Sequence, residues 1–223
     1  RNTGIKNSRG LFIAFLDDDD EWYLNKIEKQ VKLLNCLPKN FGLVYCWMDY
    51  FSKGNLLYEH HPTIRGNVFG MVLDKQRLGG CPTLLIKRHV LDVVKGFDEK
   101  LLRGNDGDFI RRVCQKFEVD LIPEVLVKVH VDHGQKRISD NNNFGIRRHI
   151  QSQYTKLNKF KSVLNRYPKP LQAIYLDLSL SFGKLKHWGK MLYFLFKALF
   201  VSSDLSFINR NLFIYLKNNI IRN

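Results

Sequence analysis

Cysteine, proline and methionine are scarce in this 223-residue sequence, which contains 4, 6 and 3 of them respectively. The four cysteines are far apart, form no C-x-x-C pair and are not clustered with histidines at zinc-ligand spacing; they are Cys36, Cys46, Cys81 and Cys114. Such cysteines are typical of reduced cytosolic proteins rather than of small disulfide-linked secreted domains. We therefore expect buried free thiols, no structural zinc and a cytoplasmic location.

Long apolar runs are also missing. The most hydrophobic stretch, residues 191–201, is 11 residues long and is interrupted by Lys197, whereas a helix that crosses a bilayer needs about 20 apolar residues. The sequence shows no secretory signal either. We expect no membrane-spanning helix.

Acidic residues are rare in the C-terminal part. Residues 136–223 hold 16 Lys+Arg and 3 Asp+Glu, whereas residues 1–135 hold 20 and 18. A chain that is 44% hydrophobic can bury a sizeable core, so the pattern indicates a near-neutral folded body with a basic appendage. The appendage either faces an anionic partner such as lipid or nucleic acid, or is a solvated basic surface.

The first part of the chain predicts alternating strands and helices. The apolar run LFIAFL (residues 11–16) predicts a strand buried on both faces, and residues 41–51 predict another. Between them, apolar side chains recur at helical spacing: Leu24, Ile27, Val31 and Leu34. This order indicates an α/β sheet.

Four consecutive aspartates, Asp17 to Asp20, follow the first predicted strand. In an extended chain, Asp17 and Asp19 would point to one side and Asp18 and Asp20 to the other. Ligands of open α/β sheets bind beyond the carboxyl ends of the strands, and Mg²⁺ is held by one or two carboxylates together with substrate phosphates. The pattern predicts a divalent metal that bridges to a diphosphate; the alternative is a solvated acidic turn with Asp20 as a helix cap.

Residues 79–96 predict a strand and a short helix. Gly79 and Gly80 permit the close approach of a ligand or of another segment, and we take them with Thr83 as a candidate acceptor region. The helical segment HVLDVV (residues 89–94) is expected to end at Gly96.

A further helix is predicted to begin within RGNDGDFIRRV (residues 103–113). Asp108 is expected to complement the helix dipole. Asp106 stands among glycines, and its carboxylate could accept a proton from a substrate hydroxyl.

Three segments in this order, RNTGIKNSRGLFIAFLDDDDEW, GGCPTLLIKRHVLDVVKGFDE and RGNDGDFIRRV, resemble the family 2 glycosyltransferases of the GT-A fold. The resemblance covers residues 1–135. It implies a GT-A domain over residues 1–140, followed by a basic α-helical extension over 141–223. It further implies an inverting enzyme that transfers a sugar from a nucleotide diphosphate donor to an acceptor hydroxyl with Mg²⁺ or Mn²⁺.

The resemblance also implies ligands for this metal. Asp17 and Asp19 match the D-x-D positions that hold the ion against the donor diphosphate, with Asp20 as a third candidate. A further ligand often comes from near the end of the fold, where His130 and His133 are candidates.

Other roles follow from the same resemblance. Asp106 matches the general base, although Asn105 replaces the glutamate that precedes it in the family. Arg112 matches a basic residue expected to form an ion pair or a phosphate contact, and Arg1 and Asn2 match the R-N of the donor-side segment.

Two family features are missing from the sequence. The first strand and the acidic residues that hold the nucleotide base normally precede the R-N segment, so we expect a truncated chain that binds donor poorly by itself. The Q-x-x-R-W motif of processive synthases is also absent, which favours addition of a single sugar, in surface polysaccharide or lipopolysaccharide assembly.

The basic C-terminal part predicts helices from residue 144 onward, the last over residues 205–221. One predicted apolar face consists of Trp188, Met191, Leu192, Leu195 and Leu199. Lysines beside aromatic residues suit anionic headgroups, so we expect peripheral docking on the inner membrane face, close to lipid-linked acceptors. The alternative is packing of these helices on one another.

Three competing functions remain. A basic nucleic-acid-binding module explains the pI near 9.7 but not the aspartates, and no nucleic-acid-binding motif is present, so we expect no nucleic-acid partner. A phosphohydrolase of the haloacid-dehalogenase type would need Thr or Val where Glu21 stands. The third is a catalytically dead glycosyltransferase relic.

Overall fold

The computed structural model describes residues 1–74, 77–131 and 142–201. The chain divides into two compact units, Arg1–Lys100 with Asn105–Lys136 and Leu101–Gly104 with Arg137–Asn223. The predicted boundary at residue 140 lies outside the described residues.

The first unit combines six strands with short helices among its described residues. The strands are β1 (Phe12–Ala14), β2 (Asp20–Trp22), β3 (Phe41–Ser52), β4 (Asn55–His60), β5 (Leu85–Lys87) and β6 (Glu118–His130). The helices are α1 (Asn2–Asn7), α2 (Lys26–Cys36), α3 (Phe69–Leu73), α4 (Arg88–Val94) and α5 (Asn105–Cys114), with a 3₁₀ turn at Cys81–Thr83.

One mixed sheet organises this unit, in the order β1-β5-β3-β6-β2, with β4 paired to β3. β3 runs parallel to β6, and the other pairings are antiparallel. On one side of the sheet, Leu34 of α2 packs with Val44 and Leu85. The predicted α/β class is confirmed.

β1 is less buried than the sequence predicts. Ile13 and Phe15 are buried, but Leu11 and Leu16 are 79% and 49% exposed. β1 lies at one end of the strand order, where an edge strand is covered less than a central one. The prediction of burial on both faces was wrong.

The helix after the aspartates begins later than expected and turns a different face inward. Residues Asp20–Trp22 pair with β6, so α2 begins at Lys26. Leu24 and Ile27 are exposed, whereas Lys26, Gln30 and Leu34 are buried. Leu34 and Val31 of the predicted apolar face pack in the core as expected, whereas the prediction was wrong for Leu24 and Ile27, because strand pairing with a distant segment fixed the start of the helix.

The next two helices agree with the predicted segments. α4 ends at Val94, and its C-cap is Lys95, whose φ of +63° is in the left-handed region, so the expected cap at Gly96 lies one residue away. α5 begins at Asn105 and carries Asp106 and Asp108 in its first turn, as predicted.

The second unit contains four helices among its described residues: α6 (Asn143–Lys159), α7 (Lys161–Leu164), α8 (Pro168–Lys184) and α9 (Trp188–Val201). α8 and α9 pack together, since Ser179 Oγ donates to Met191 O over 2.8 Å and the rings of Phe182 and Phe194 stack at 5.7 Å. Packing between helices is therefore confirmed for this pair. The predicted helix over residues 205–221 lies outside the described residues.

The inward face of α9 differs from the predicted one. Phe194 and Ala198 are buried, whereas Trp188 and Leu192 are 59% and 58% exposed. Apart from Lys190 and Lys197, its residues are nearly all apolar, so its periodicity does not select one face. No helix in the described part of the chain combines the length and the apolar character needed to cross a membrane.

All four cysteines are free thiols. Cys46, Cys81 and Cys114 are buried, as expected, and Cys36 is exposed, contrary to expectation.

Candidate functional site

The four aspartates form a tight turn rather than an extended segment. The backbone N–H of Asp20 donates to Asp17 O over 3.2 Å, and Asp18 and Asp19 form the turn between them. Asp20 then begins β2 opposite Val129. The predicted alternation of side chains and the predicted helix cap at Asp20 were both wrong, because β6 recruits this segment into the sheet.

Three of these carboxylates influence one another. The pKa of Asp20 is raised to about 6, mainly by burial and in addition by the negative charges of Asp19 and Asp17. Asp18 is exposed. A turn with several carboxylates offers the oxygen donors that hard divalent cations prefer.

Arg1 joins this turn to α5. Its Nη2 lies 2.6 Å from Asp17 Oδ1, and its Nη1 donates to Asp106 Oδ1. Partial burial opposes the positive charge, but Asp106 and Asp17 outweigh it and raise the pKa of the guanidinium. The structure thus brings together the predicted metal ligand and the predicted general base.

Asp106 is positioned by the start of α5 and by the 3₁₀ turn. Its backbone N–H donates to Asn105 Oδ1 over 2.9 Å. The buried thiol of Cys81 lies beside its carboxylate, and burial followed by the charge of Asp106 raises the pKa of this thiol. Cys81 was not predicted to be near the site, although the adjacent Gly79-Gly80 pair was an available signal.

Asn2 connects α1 to the segment after α4. Its side chain both donates to Phe97 O (2.9 Å) and accepts from the Phe97 N–H (2.8 Å), and it also donates to Glu99. A Cβ at Gly96 would collide with Asn2 Oδ1. The amide of Asn2 therefore holds α1 against residues 96–99, a structural role that differs from the predicted donor-binding one. These contacts give a physical link between the R-N segment and the G-F-D-E segment.

Arg112 also has a structural placement. Its Nε donates to Asp108 Oδ2 over 2.9 Å, and its two Nη atoms donate to Val94 O and Gly96 O. These contacts fasten α5 to the end of α4. The predicted ion pair is present. The guanidinium nitrogens all donate to protein oxygens, which differs from the predicted contact with a diphosphate.

The candidate acceptor region forms a compact turn. Gly79 has a φ of +144°, a conformation that favours glycine. Thr83 is buried and its hydroxyl donates to Gly80 O over 2.8 Å. Thr83 therefore shapes the turn from within, and its hydroxyl is not directed at an acceptor.

A buried network supports this turn and was missed from the sequence. Lys26 Nζ donates to Gln30 Oε1 (2.7 Å), Gln30 Nε2 donates to Thr83 O (2.8 Å), and Trp22 Nε1 donates to Pro82 O (2.9 Å). Burial lowers the pKa of Lys26 to about 8. A buried lysine is rare. The residues around Lys26 in the sequence are mostly polar, so the sequence did not indicate that this lysine is buried.

The two histidine candidates have different outcomes. His130 Nε2 lies 2.8 Å from Glu21 Oε1, directly after the acidic turn, and the backbone of His130 bonds the Asp20 carboxylate. His133 lies outside the described residues.

Comparison with known proteins identifies sequences and structures that are similar to this chain. Residues 1–90 match the family model described as glycosyl transferase family 2. An uncharacterized glycosyltransferase of Methanocaldococcus jannaschii is 30% identical over 142 residues, which are 62% of this chain and 48% of that protein. The amylovoran biosynthesis glycosyltransferase AmsB of Erwinia amylovora is 27% identical, over 59% of this chain and 46% of the relative.

Two further matches are partial or distant. The UDP-Glc:alpha-D-GlcNAc-diphosphoundecaprenol beta-1,3-glucosyltransferase WfgD of Escherichia coli is 47% identical over 57 residues, 26% of this chain and 22% of that protein. The crystal structure of S. aureus TarS 1–349 in complex with UDP-GlcNAc has a TM-score of 0.50 at 13% identity, over 85% of this chain and 68% of that one. This last likeness concerns the fold alone.

The chain spans less than half the length of each of these three sequence relatives. Within that span, the matched segment contains Arg1 and the whole acidic turn. The family model and these relatives therefore link residues 1–90 to glycosyl transferase family 2 by similarity, and the fold that contains them is of the GT-A type.

Proposed function

We propose that this chain supplies the acidic turn and the general base of an inverting, non-processive glycosyltransferase. The enzyme transfers one sugar from a nucleotide diphosphate sugar to an acceptor hydroxyl. The observation that carries the proposal is the ion pairing of one guanidinium, that of Arg1, with both Asp17 and Asp106. It brings the donor-side carboxylate and the acceptor-side carboxylate into one site.

The acidic turn is suited to a divalent cation. Asp17, Asp19 and Asp20 would hold Mg²⁺ or Mn²⁺, because their charges already act on one another strongly enough to contribute to the raised pKa of Asp20. When bound, the ion offsets negative charge on the departing nucleoside diphosphate. The remaining chemistry belongs to the chain's own residues.

Asp106 takes the proton from the acceptor hydroxyl as that oxygen attacks the anomeric carbon. The new carbon–oxygen bond forms on the face opposite the breaking bond to the diphosphate, so the configuration inverts. Arg1 orients the Asp106 carboxylate through the hydrogen bond from its Nη1. Cys81 and the network of Lys26, Gln30 and Thr83 keep the neighbouring turn in place.

The names of two relatives favour a class of acceptor. AmsB is named for amylovoran biosynthesis, and WfgD for glucosyl transfer to a diphosphoundecaprenol-linked GlcNAc. We extend to this protein a lipid-linked saccharide acceptor in surface polysaccharide or lipopolysaccharide assembly.

The test is a transfer assay of the enzyme to which this chain contributes, with radiolabelled UDP-, GDP- and dTDP-sugars and a diphospholipid-linked GlcNAc acceptor. We expect addition of one sugar with inverted anomeric configuration, determined by NMR of the product. A product of retained configuration, a polymer, or release of phosphate without sugar transfer would each contradict the proposal.

Docking on an anionic membrane surface through α9 is the second part of the proposal. Its exposed aromatic residues include Trp188, Phe196 and Phe200, the last 76% exposed. Lys190 and Lys197 are exposed on the same helix, and each basic residue near an anionic surface contributes about 1 kcal/mol. Such docking would hold the enzyme near a lipid-linked acceptor.

Co-sedimentation with vesicles tests this part. Binding to vesicles rich in phosphatidylglycerol should exceed binding to pure phosphatidylcholine, and Trp188→Ala with Phe200→Ala should weaken it. Leu24→Ala is the matched control, since Leu24 is an exposed apolar residue of the other unit. Binding that ignores anionic lipid, or equal loss with the control, would overturn the docking proposal.

A further inference from the structure

The β3–β4 hairpin carries a group of metal-binding side-chain types outside the acidic turn. Asp49, Glu59 and His61 each place one ligand atom within 4.8 Å of the others. His61 Nε2 lies 2.7 Å from Asp49 Oδ1. One imidazole nitrogen and two carboxylates are a donor set that borderline transition ions accept.

The strand register places two of these charges opposite each other. Asp49 and Glu59 are direct partners in the antiparallel pairing of β3 with β4. Like charges at directly opposed positions destabilise a strand pair. A cation bound by both carboxylates would turn this repulsion into a cross-strand link.

His61 is held where it can complete the group. It stands one residue beyond the end of β4, and its ligand atom lies within 4.8 Å of those of Asp49 and Glu59. Its ring stacks on Trp47 with centroids 4.6 Å apart and an interplanar angle of 20°. The Trp47 indole is itself fixed, because Nε1 donates to Pro62 O over 2.9 Å.

Exposure differs among the three side chains in a way that suits a site with open positions. The side chain of Asp49 is 13% exposed, whereas Glu59 is exposed. The Glu59 carboxylate can therefore rotate towards the other two, and water can reach the remaining positions of an ion. Zinc sites with three protein ligands commonly keep such a position open.

The group lies on the opposite face of the sheet from Asp20. Asp20 pairs with Val129, and Val129 pairs with Tyr50, so these residues form one cross-strand row. Asp49 belongs to the adjacent row with Lys128, whose other partner is Glu21. Successive residues of a strand point to opposite faces, so the two groups of carboxylates are separate sites.

We infer that Asp49, Glu59 and His61 form a binding site for a divalent transition ion of the zinc class, which links β4 to β3. Lys128, the neighbour of Asp49 on β6, has its ammonium 3.8 Å from Glu21 Oε2. Lys128 therefore flanks Asp49 on the β6 side, whereas Glu59 and His61 flank it on the β4 side. The ion would stabilise the exposed hairpin strand and takes no part in sugar transfer.

Isothermal titration calorimetry with ZnCl₂ tests the site in a protein that carries Asp17→Asn and Asp19→Asn, which weaken the acidic turn as a competing site. We expect one zinc ion per chain. Asp49→Asn, His61→Asn and Glu59→Gln should each weaken binding by about tenfold or more, since even loss of a supporting partner costs 10- to 100-fold in metal affinity.

His89→Asn is the matched control, because His89 is an exposed histidine on α4, outside the hairpin. Glu59→Gln guards against misfolding, since Glu59 is exposed and the change keeps its shape. Absence of zinc binding in the parent protein, unchanged affinity in the His61→Asn and Glu59→Gln proteins, or equal loss in the control would each overturn the inference. None of these outcomes bears on sugar transfer, which is assayed separately.

Discussion

Arg1 and Asp106 are 105 positions apart in the sequence, yet the Nη1 of the one donates to the Oδ1 of the other. The second Nη of the same guanidinium pairs with Asp17. One planar fork therefore orients a carboxylate from the turn before β2 and a carboxylate from the first turn of α5.

This fork makes Arg1 sensitive to conservative replacement. Arg1→Lys keeps the charge but cannot present two fixed N–H donors to two carboxylates. A hydrogen bond to a charged group contributes about 1.5–3 kcal/mol, so we expect both Arg1→Lys and Arg1→Met to reduce kcat by about tenfold or more. Steady-state transfer assays measure this, and a fully active Arg1→Met protein would contradict the role of the fork.

The acidic turn predicts metal-dependent transfer. EDTA should abolish transfer, and Mn²⁺ or Mg²⁺ should restore it. Asp17→Asn and Asp19→Asn should raise the metal concentration needed for half-maximal rate by about tenfold or more. Asp18→Asn is the control, because Asp18 is exposed and is not among the charges that raise the pKa of Asp20. Full activity in EDTA would show that the turn has another purpose.

Gly96 predicts a stability effect that depends on Asn2. A Cβ at this position would collide with the Asn2 amide oxygen, so Gly96→Ala should lower the free energy of unfolding by about 1–3 kcal/mol. Gly4→Ala is the matched control, since a Cβ there meets nothing within 4 Å, and alanine in a helix is favoured over glycine by about 1 kcal/mol. Urea denaturation compares the two, and equal effects would contradict the proposed packing.

Lys26 predicts a pH dependence of stability. Burial lowers its pKa from 10.5 to about 8, so between these values the unfolded chain binds more protons at Lys26 than the folded chain does. Stability must then rise with pH across this interval. Relative to Lys26→Met, the wild type should gain up to about 3 kcal/mol from pH 8 to pH 10.5.

Measuring the difference between the two proteins cancels the buried thiols and phenols that do not interact with Lys26, and it leaves Lys26 together with the neighbouring Cys46 thiol. Urea denaturation at pH 7, 8, 9 and 10 gives the difference. If it stays constant with pH, Lys26 is not the desolvated amine that the structure shows.

Local patterns predicted the elements whose signals are local. β3 is a long run of apolar and β-favouring residues, and α5 begins at a clear N-terminal signal with acidic residues in its first turn. Both were predicted within a few residues. The D-x-D and R-N segments were also identified from the sequence, and the structure places Asp17 beside Arg1.

The errors come from contacts between distant segments. β2 exists because Asp20–Trp22 pairs with β6, about a hundred residues later, and this pairing shifted α2 and turned Leu24 outward. Asn2 and Arg112 were assigned to a donor, but their hydrogen bonds run to Phe97 and Gly96. Those contacts depend on how α1 and α5 approach the end of α4, which a linear pattern does not contain.

The most direct test of the central claim is the effect of Asp106→Asn on transfer and on donor binding in the enzyme to which this chain contributes. The account predicts that kcat falls by about 10²- to 10⁴-fold, as expected for the loss of a general base, while the Kd for the nucleotide sugar, measured by calorimetry, stays within about twofold. Unchanged turnover in the Asp106→Asn protein would contradict the account.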